Sequence, residues 1–485
     1  GVLSPLCLPI SPRGHCVIFV VIKYLYSTPD LFRLGNFSLA YAFPLFYRCI
    51  NNFCYIFINS DLFFINMTKN YIHNFDTGNL EFCQICNSKD LDTVLDLGYQ
   101  PLADDLRQLN QKNQKTNYYP LKINLCRKCI MLQTSSIIED ETLYPKSYHY
   151  TPGISKQIRE NFEAFAKKTT SLYKLNSSDL ILDIGCADGS LLDEFKNLGF
   201  KNLFGIEPTD TVKIAKKKKH KTLQSFFNKK SAKIFLKKSK VPKIITTTNV
   251  FAHTGMLGEY IEGLLKIMNK DTIFIVENHY LSSVILKNQF DSFYHEHLRT
   301  YSLTSLKKLL KIYGINLIDA YVTTRYGGNI QAHFSLNKNL KPSKNVQLIL
   351  EKEKKSNLDN LNVYKAFKNN ISQNKNQLYD YLNKNRNKNI VGKSFPARAS
   401  ILIHHYDYLK DFISIIGEQN TSKKINHYVA GTNIKIVDSK IFKKDKPDLM
   451  VIFAWHMFDK IRDKWMNIGL KKTKYIKPLP KLKIY

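Results

Sequence analysis

The stretch ILDIGCADGS, residues Ile181–Ser190, decides how this chain folds. Ile181-Leu182-Asp183-Ile184 is a short apolar run suited to a buried parallel strand. Gly185, Ala187, Asp188 and Gly189 then make a tight turn, and Leu191-Leu192-Asp193-Glu194-Phe195 begins a helical pattern. Such a unit presents backbone N–H groups at a helix N-terminus, where a nucleotide-like ligand can approach closely. The spacing departs from G-x-G-x-x-G, so taken alone the stretch also fits an unrelated turn or a dinucleotide fold. The next strands narrow the choice. Leu203-Phe204-Gly205-Ile206-Glu207 is a second strand ending on an acid, where a carboxylate can accept both ribose hydroxyls of a nucleoside. Ile244–Asn249 and Thr272–Glu277 are a third and a fourth strand, with helical patterns between them. The alternation predicts a doubly wound parallel α/β sheet with its ligand at the carboxyl ends of the strands.

At 485 residues the chain has room for about two to four domains. A formal net charge of +32 suggests a polyanion partner. The lysines, however, are spread along the chain among Asn and Ile, and no aromatics interleave the densest run, Lys213–Lys221. The charge reads as solvated surface, and no nucleic acid is expected. Residues 1–66 differ from the rest: they hold a single lysine, Lys23, and are rich in Phe, Tyr, Leu and Cys. Cys16–Tyr26 is short for a membrane span, and Leu39–Ile58 is interrupted by Arg48 and two asparagines. Neither has the parts of a secretory signal. A membrane anchor, an interfacial segment and non-native upstream sequence translated in frame compete as readings. The last is favoured, with Met67 as the start. A membrane is then a partner only if 1–66 are native, and the expected location is cytoplasmic.

Of nine cysteines, four form two C-x-x-C pairs, Cys83/Cys86 and Cys126/Cys129. Two such pairs give four thiolates that can converge tetrahedrally on Zn²⁺, in a structural role because no ligand position stays open. Two disulfides or a redox pair are the alternatives, and neither an export signal nor a thioredoxin-like context supports them. The 39 residues between the pairs exceed the usual ribbon spacing and predict an inserted subdomain. Ile154–Leu172 reads as an amphipathic helix leading into the first strand, with Ile154, Ile158, Phe162, Phe165 and Ala166 on one face. Past the fourth strand, Tyr294-His295-Glu296-His297 places two histidines around a glutamate. H-x-H with a third ligand would suit a metal, but the spacing is not the H-E-x-x-H of a zinc hydrolase. Lys341–Lys388 is a highly charged helical connector. In Asn389–Ser400, GKS lacks the upstream glycine of a P-loop and reads as a further strand–turn–helix unit.

Together these elements resemble the sugar C-methyltransferases among the class I S-adenosylmethionine-dependent methyltransferases. The likeness is carried by C-x-x-C, Asp96–Ala103 (DLGYQPLA), Tyr119-Pro120-Leu121 and C-x-x-C, then by Asp183-x-Gly185, Glu207-Pro208 and Asn249–His253. FDSFYHEHLRTYS (Phe290–Ser302) looks like the family's FD-x-x-YHEH-x-x-x-YS signature, and HYVAGTNI (His427–Ile434) and PDLMVIFAWHMF (Pro447–Phe458) fit its C-terminal domain. The resemblance spans about residues 80 to 485. Two places depart from the pattern: Pro152-Gly153 stands where the family has serines after its two tyrosines, and Tyr326, Asn329 and Gln331 replace His, Ser and Arg around a Gly-Gly loop.

The resemblance implies a Rossmann-like methyltransferase domain between a small N-terminal zinc-binding domain and a C-terminal α/β domain. The expected boundaries are an extension (1–66), zinc-binding domain (67–145), S-adenosylmethionine-binding domain (146–335), helical connector (336–388) and C-terminal domain (389–485). It implies S-adenosyl-L-methionine and structural Zn²⁺ as cofactors. Cofactor contacts are implied for Asp183, Gly185, Asp188, Gly189, Glu207, Phe227 and Asn249, with the Phe226-Phe227 pair near the adenine. His297 is implied as base, with Glu296, Tyr294 and Tyr148 as active-site partners, although His295 or His253 also suit a cleft at the strand ends. Residue types fit the chemistry: removing a proton beside a ketone needs a group titrating near neutrality, and a neighbouring carboxylate can orient its imidazole. The implied substrate is a nucleotide-linked 4-keto-deoxysugar, methylated at the carbon next to the ketone by α-proton abstraction and methyl transfer to the enolate, in a monomer or small homo-oligomer. O- or N-methylation of a related sugar, or an RNA-binding methyltransferase or zinc binding protein, are the competing readings.

Overall fold

The computed structural model describes residues 74–75, 77–111, 115–146, 148 and 150–485. Before residue 74 it describes only the backbone of three strands, Tyr47–Ile50, Phe53–Ile58 and Asp61–Ile65. The status of 1–66 and of Met67 as a start lies outside the described residues. No helix among the described residues is long and apolar enough to cross a membrane.

From His73 onward the chain forms one compact unit. Its central sheet runs in the order Lys221–Leu223, Asn202–Ile206, Leu180–Ile184, Ile244–Thr248, Ile273–His279, Asn329–Ser335, Asn316–Thr323. The first five strands are parallel and the last two form an antiparallel hairpin. Leu180–Ile184 is buried throughout, as its unbroken apolar run requires of a strand covered by helices on both faces. The chain moves outward from that strand in one direction and then returns to its other side at Ile244–Thr248. The sheet therefore has a switch point where the carboxyl ends of both strands open into a crevice.

A C-terminal sheet repeats this plan. Its parallel strands Lys474–Lys477, Leu449–Ile452, Ile390–Lys393, Ile415–Glu418 and Lys435–Asp438 again place the first strand beside the switch. The segment between the two C-x-x-C pairs is not a separate subdomain. Its strands Asp92–Gln100 and Tyr119–Cys126 join Met131–Thr134 and Arg299–Tyr301 in an antiparallel sheet. Its strand Leu106–Gln108 pairs with His427–Val429 at the edge of the C-terminal sheet. Asp92–Gln100 and Leu106–Gln108 are the outer strands of these two sheets, so the insertion is built into both.

Two other expectations change. The leading helix is Lys156–Leu172, with Ser155 as its cap and Pro152–Ile154 as a 3₁₀ turn ahead of it. Ile154 is thereby exposed rather than on the helix's apolar face. The charged connector is two helices, Lys344–Lys355 and Leu361–Lys384. Tyr364, Phe367, Ile371, Leu378 and Leu382 of the second are buried in a core shared with the N-terminal and C-terminal sheets, so this segment fastens domains together. The lysine run is solvated surface: Lys213 pairs with Asp210, and Lys218 and His220 both pair with Asp193.

Candidate active site

A cavity of about 330 Å³ opens at the carboxyl ends of the central strands. Gly185, at φ +75°, turns the chain there; an added Cβ would come within 2.3 Å of Val250. Gly189 and Asp188 shape the turn from behind and do not line the cavity. Asp188 Oδ1 accepts from Ser190 N and Oγ, and its Oδ2 accepts from Gly153 N at 3.1 Å. This contact explains Pro152-Gly153 in place of serines: a Cβ on Gly153 would meet Ser190 Oγ at 2.3 Å. The strap before Gly153 carries Tyr148 and Tyr150 over the cavity.

Asp183, Glu207, Phe227 and Asn249 line the same cavity. Glu207 Oε1 accepts from Thr209 N and Oγ1, and Oε2 accepts from Ala187 N at 3.1 Å. Three of the roughly four acceptor sites of a carboxylate are taken, leaving room for one hydroxyl where the sequence suggested two. Burial raises its pKa, against three hydrogen bonds that lower it. Asp183 accepts from Thr246 Oγ1 at 2.7 Å and is pushed up to about 7 by burial. Phe227 packs edge-on to Tyr260 at 4.9 Å. Asn249, at φ +55°, accepts from Asn329 Nδ2 at its Oδ1, while its buried Nδ2 has no partner. A carboxylate, an aromatic wall and an unpaired amide donor at these strand ends fit the adenosine of S-adenosylmethionine.

His297, 6% exposed, lies on the adjoining wall. Its Nδ1 stands 2.7 Å from Ser292 O, so a proton resides on Nδ1 and Nε2 is the basic nitrogen. The expected partnership with Glu296 is not formed: Glu296 Oε2 accepts instead from Tyr148 at 3.2 Å. Burial, then the Arg398 guanidinium, hold His297 down to about 4, well below the neutral range expected of a base. Glu296 moves the other way, up to about 8, through burial and the nearby Asp104 carboxylate. The Tyr148 and Tyr294 phenols stay protonated far above their ordinary range, through burial and then Glu296.

His253 also lines the cavity, with Nδ1 2.5 Å from Tyr144 OH. His295 does not: it is buried against Tyr119, 3.3 Å from its carbonyl, so the H-x-H pair shares no ligand. Sequence reasoning missed His279, His456, Asp104, Lys424 and Arg398, all on the cavity wall. His279 was findable, two residues beyond Glu277 and so on the same strand face. The others come from distant segments and carried no local signal. Arg398 pairs bidentately with Asp291, which also accepts from Trp455 Nε1 at 2.8 Å; the FD of the YHEH segment thus bolts the central sheet to the C-terminal one.

The four knuckle cysteines are free thiols whose Sγ atoms all lie within 4.8 Å of one another. Each knuckle closes identically: Asn87 N donates to Cys83 O, Ile130 N to Cys126 O, both at 2.8 Å, with Asn87 and Ile130 in the left-handed region. Four clustered thiolates repel one another unless a cation neutralises them, and this all-sulfur donor set suits tetrahedral Zn²⁺.

Three family models match in order. A zinc binding domain covers residues 83–144, a methyltransferase domain 155–320 and a C-methyltransferase C-terminal domain 324–480. C-methyltransferase NovU of Streptomyces niveus is 21% identical over 411 residues, 84% of this chain and 97% of that protein. Among solved structures, an S-adenosylmethionine-dependent methyltransferase from Clostridium acetobutylicum ATCC 824 is 16% identical, with TM-score 0.30 over 37% of this chain and 92% of its own. One from Archaeoglobus fulgidus is 15% identical, with TM-score 0.31 over 36% and 94%. With a cysteine knuckle, a cofactor sheet and a C-methyltransferase C-terminal domain in that order, the chain is an S-adenosylmethionine-dependent C-methyltransferase, a distant homologue of NovU.

Proposed function

We propose that the chain methylates a nucleotide-linked 4-keto-deoxysugar at the carbon beside its ketone. The observation that carries this reading is the fixed tautomer of His297, whose unprotonated Nε2 belongs to the wall that also carries the cofactor turn. Depressed to about 4, the imidazole is neutral throughout the physiological range and ready to accept a proton. Negative charge developing on an enolate beside it opposes that depression, so its proton affinity rises as the reaction proceeds. Tyr294, kept protonated, is a donor suited to the enolate oxygen, and Tyr148 becomes one when its O–H leaves Glu296, which is itself neutral below about 8. S-adenosylmethionine, when bound, supplies a methyl group already activated as a sulfonium. Asp183, Glu207, Phe227 and Asn249 would hold it.

The lining of a second cavity supports a nucleotide-linked substrate. A second cavity of about 1200 Å³ continues past Tyr148, Arg325, Tyr326 and Lys424 to the carboxyl ends of the C-terminal strands. Lys393, Lys423, Lys440 and Lys443 line it, a cationic wall suited to a diphosphate. Solvent exchange of the α-proton of a 4-keto sugar nucleotide tests the reading. In deuterated buffer with S-adenosylhomocysteine present, the protein is expected to exchange that proton, and His297→Asn to lose exchange and methylation together, by about 10²–10⁴. Methylation without any exchange in either form would favour transfer to oxygen or nitrogen instead.

A further inference from the structure

Arg325 is a cation of the cavity wall that no step above uses. Arg325 is 6% exposed, at the start of the Gly-Gly loop between the two antiparallel strands of the central sheet. Its guanidinium lies 4.6 Å from the Phe162 ring and 5.0 Å from the Tyr326 ring. Nη1 reaches Glu277 Oε1 only at 3.5 Å, and that oxygen already accepts from Asn329 Nδ2 at 3.0 Å. Nε is buried with no partner. An arginine carries five donors and never loses its charge, so burial with Glu277 and the Tyr326 hydroxyl as its side-chain acceptors is costly unless a ligand brings more.

We infer that Arg325 binds the α-carboxylate at the methionine end of S-adenosylmethionine. Two neighbours point to this anion. Asp183, on the same cavity wall, feels the Arg325 charge. An acid and a guanidinium lining one cavity complement an α-amino acid zwitterion, the acid suiting the ammonium and the guanidinium the carboxylate. Phe162, against which Arg325 stacks, belongs to the helix leading into Leu180–Ile184, on the amino side of the glycine turn. Asn249 and Glu207, the groups suited to adenosine, follow strands on either side of that turn. Arg325, reaching Glu277 on the next strand, Ile273–His279, lies on the side of Asn249 away from Glu207. The aromatic rings beside the planar guanidinium fix its orientation and exclude water, which strengthens a bidentate carboxylate contact.

The inference rests on the cofactor occupying this cavity, and binding measurements separate the two ideas. Calorimetry of the whole protein with S-adenosylhomocysteine, its decarboxylated analogue and methylthioadenosine is the test. Unmodified protein is expected to bind the decarboxylated analogue roughly ten- to a hundredfold more weakly than S-adenosylhomocysteine. Arg325→Gln is expected to weaken S-adenosylhomocysteine by a similar factor and leave the decarboxylated analogue and methylthioadenosine unchanged, while Arg325→Lys recovers part of the loss. Equal losses for all three ligands in a variant that melts like the parent would overturn the assignment, and so would a loss confined to a nucleoside diphosphate, which would give Arg325 to the diphosphate. If Glu207→Ala also leaves S-adenosylhomocysteine unaffected, the cavity is not the cofactor site; if Glu207→Ala weakens it and Arg325→Gln does not, only the Arg325 assignment falls.

Discussion

The central and C-terminal sheets solve the same geometric problem with opposite charges. Each begins with a strand at its switch point, Leu180–Ile184 or Ile390–Lys393, followed by a turn and a helix, Ser190–Asn197 or Ala397–His405. Each second strand leads to an acid, Glu207 or Glu418, that accepts a hydrogen bond from a backbone N–H of the first turn, Ala187 or Phe395. The shared device ties the end of one strand to the turn of its neighbour and holds the crevice open. The difference lies in what faces the crevice. The central sheet presents Asp183 and Glu207, suited to a ligand with ammonium, sulfonium and hydroxyl groups. The C-terminal crevice is lined by Lys393, at the end of its first strand, with Lys423, Lys440 and Lys443, which outnumber Glu418 and Asp438 there. One topology binds two unlike ligands because the sheet sets where a ligand sits, and the side chains at the strand ends set its sign.

The comparison breaks most visibly at the seam. Arg398 and Asp291 are 6% and 1% exposed, so Arg398→Ala strands a buried carboxylate and should lower stability by about 3–5 kcal/mol in denaturant titration. A loss under 1 kcal/mol would mean that the two halves hold together without this bolt. Next in size, Glu207→Ala should weaken S-adenosylhomocysteine by about 1–3 kcal/mol and leave a nucleoside diphosphate untouched. Lys393→Met should do the converse, weakening a nucleoside diphosphate by about tenfold. Burial pulls Lys393 down to about 8, so diphosphate affinity of the unmodified protein should fall as pH rises through 8, and the Lys393→Met variant should lack that limb. If both variants disturb both ligands equally, the division of labour is wrong. The smallest effect concerns Glu296. Its carboxyl is protonated below about 8 and ionised above, so kcat should decline by a few-fold on the alkaline side of 8, and Glu296→Gln should flatten that limb. An unchanged profile in Glu296→Gln would assign the decline to another group.

Local pattern made much of this legible. Apolar runs, a glycine turn and an acid ending the second strand identified the central sheet, because buried parallel strands need unbroken apolar residues and close turns need glycine. The C-x-x-C pairs announced a four-sulfur site across 39 residues, since a knuckle is built from neighbours in sequence and only the meeting of two knuckles is long-range. YHEH marked the region of His297. Tertiary structure alone decided the rest. It turned His295 onto Tyr119 and His297 into the cavity, a choice set by packing on either side of one glutamate. It took Glu296 from His297 and gave it to Tyr148, leaving a backbone carbonyl to fix the imidazole. It brought Asp104, Lys424, Arg398 and Arg325 to one chamber from four separate segments. Charges that meet only through folding leave no spacing to read, and the pKa values they impose depend on burial that no sequence window contains.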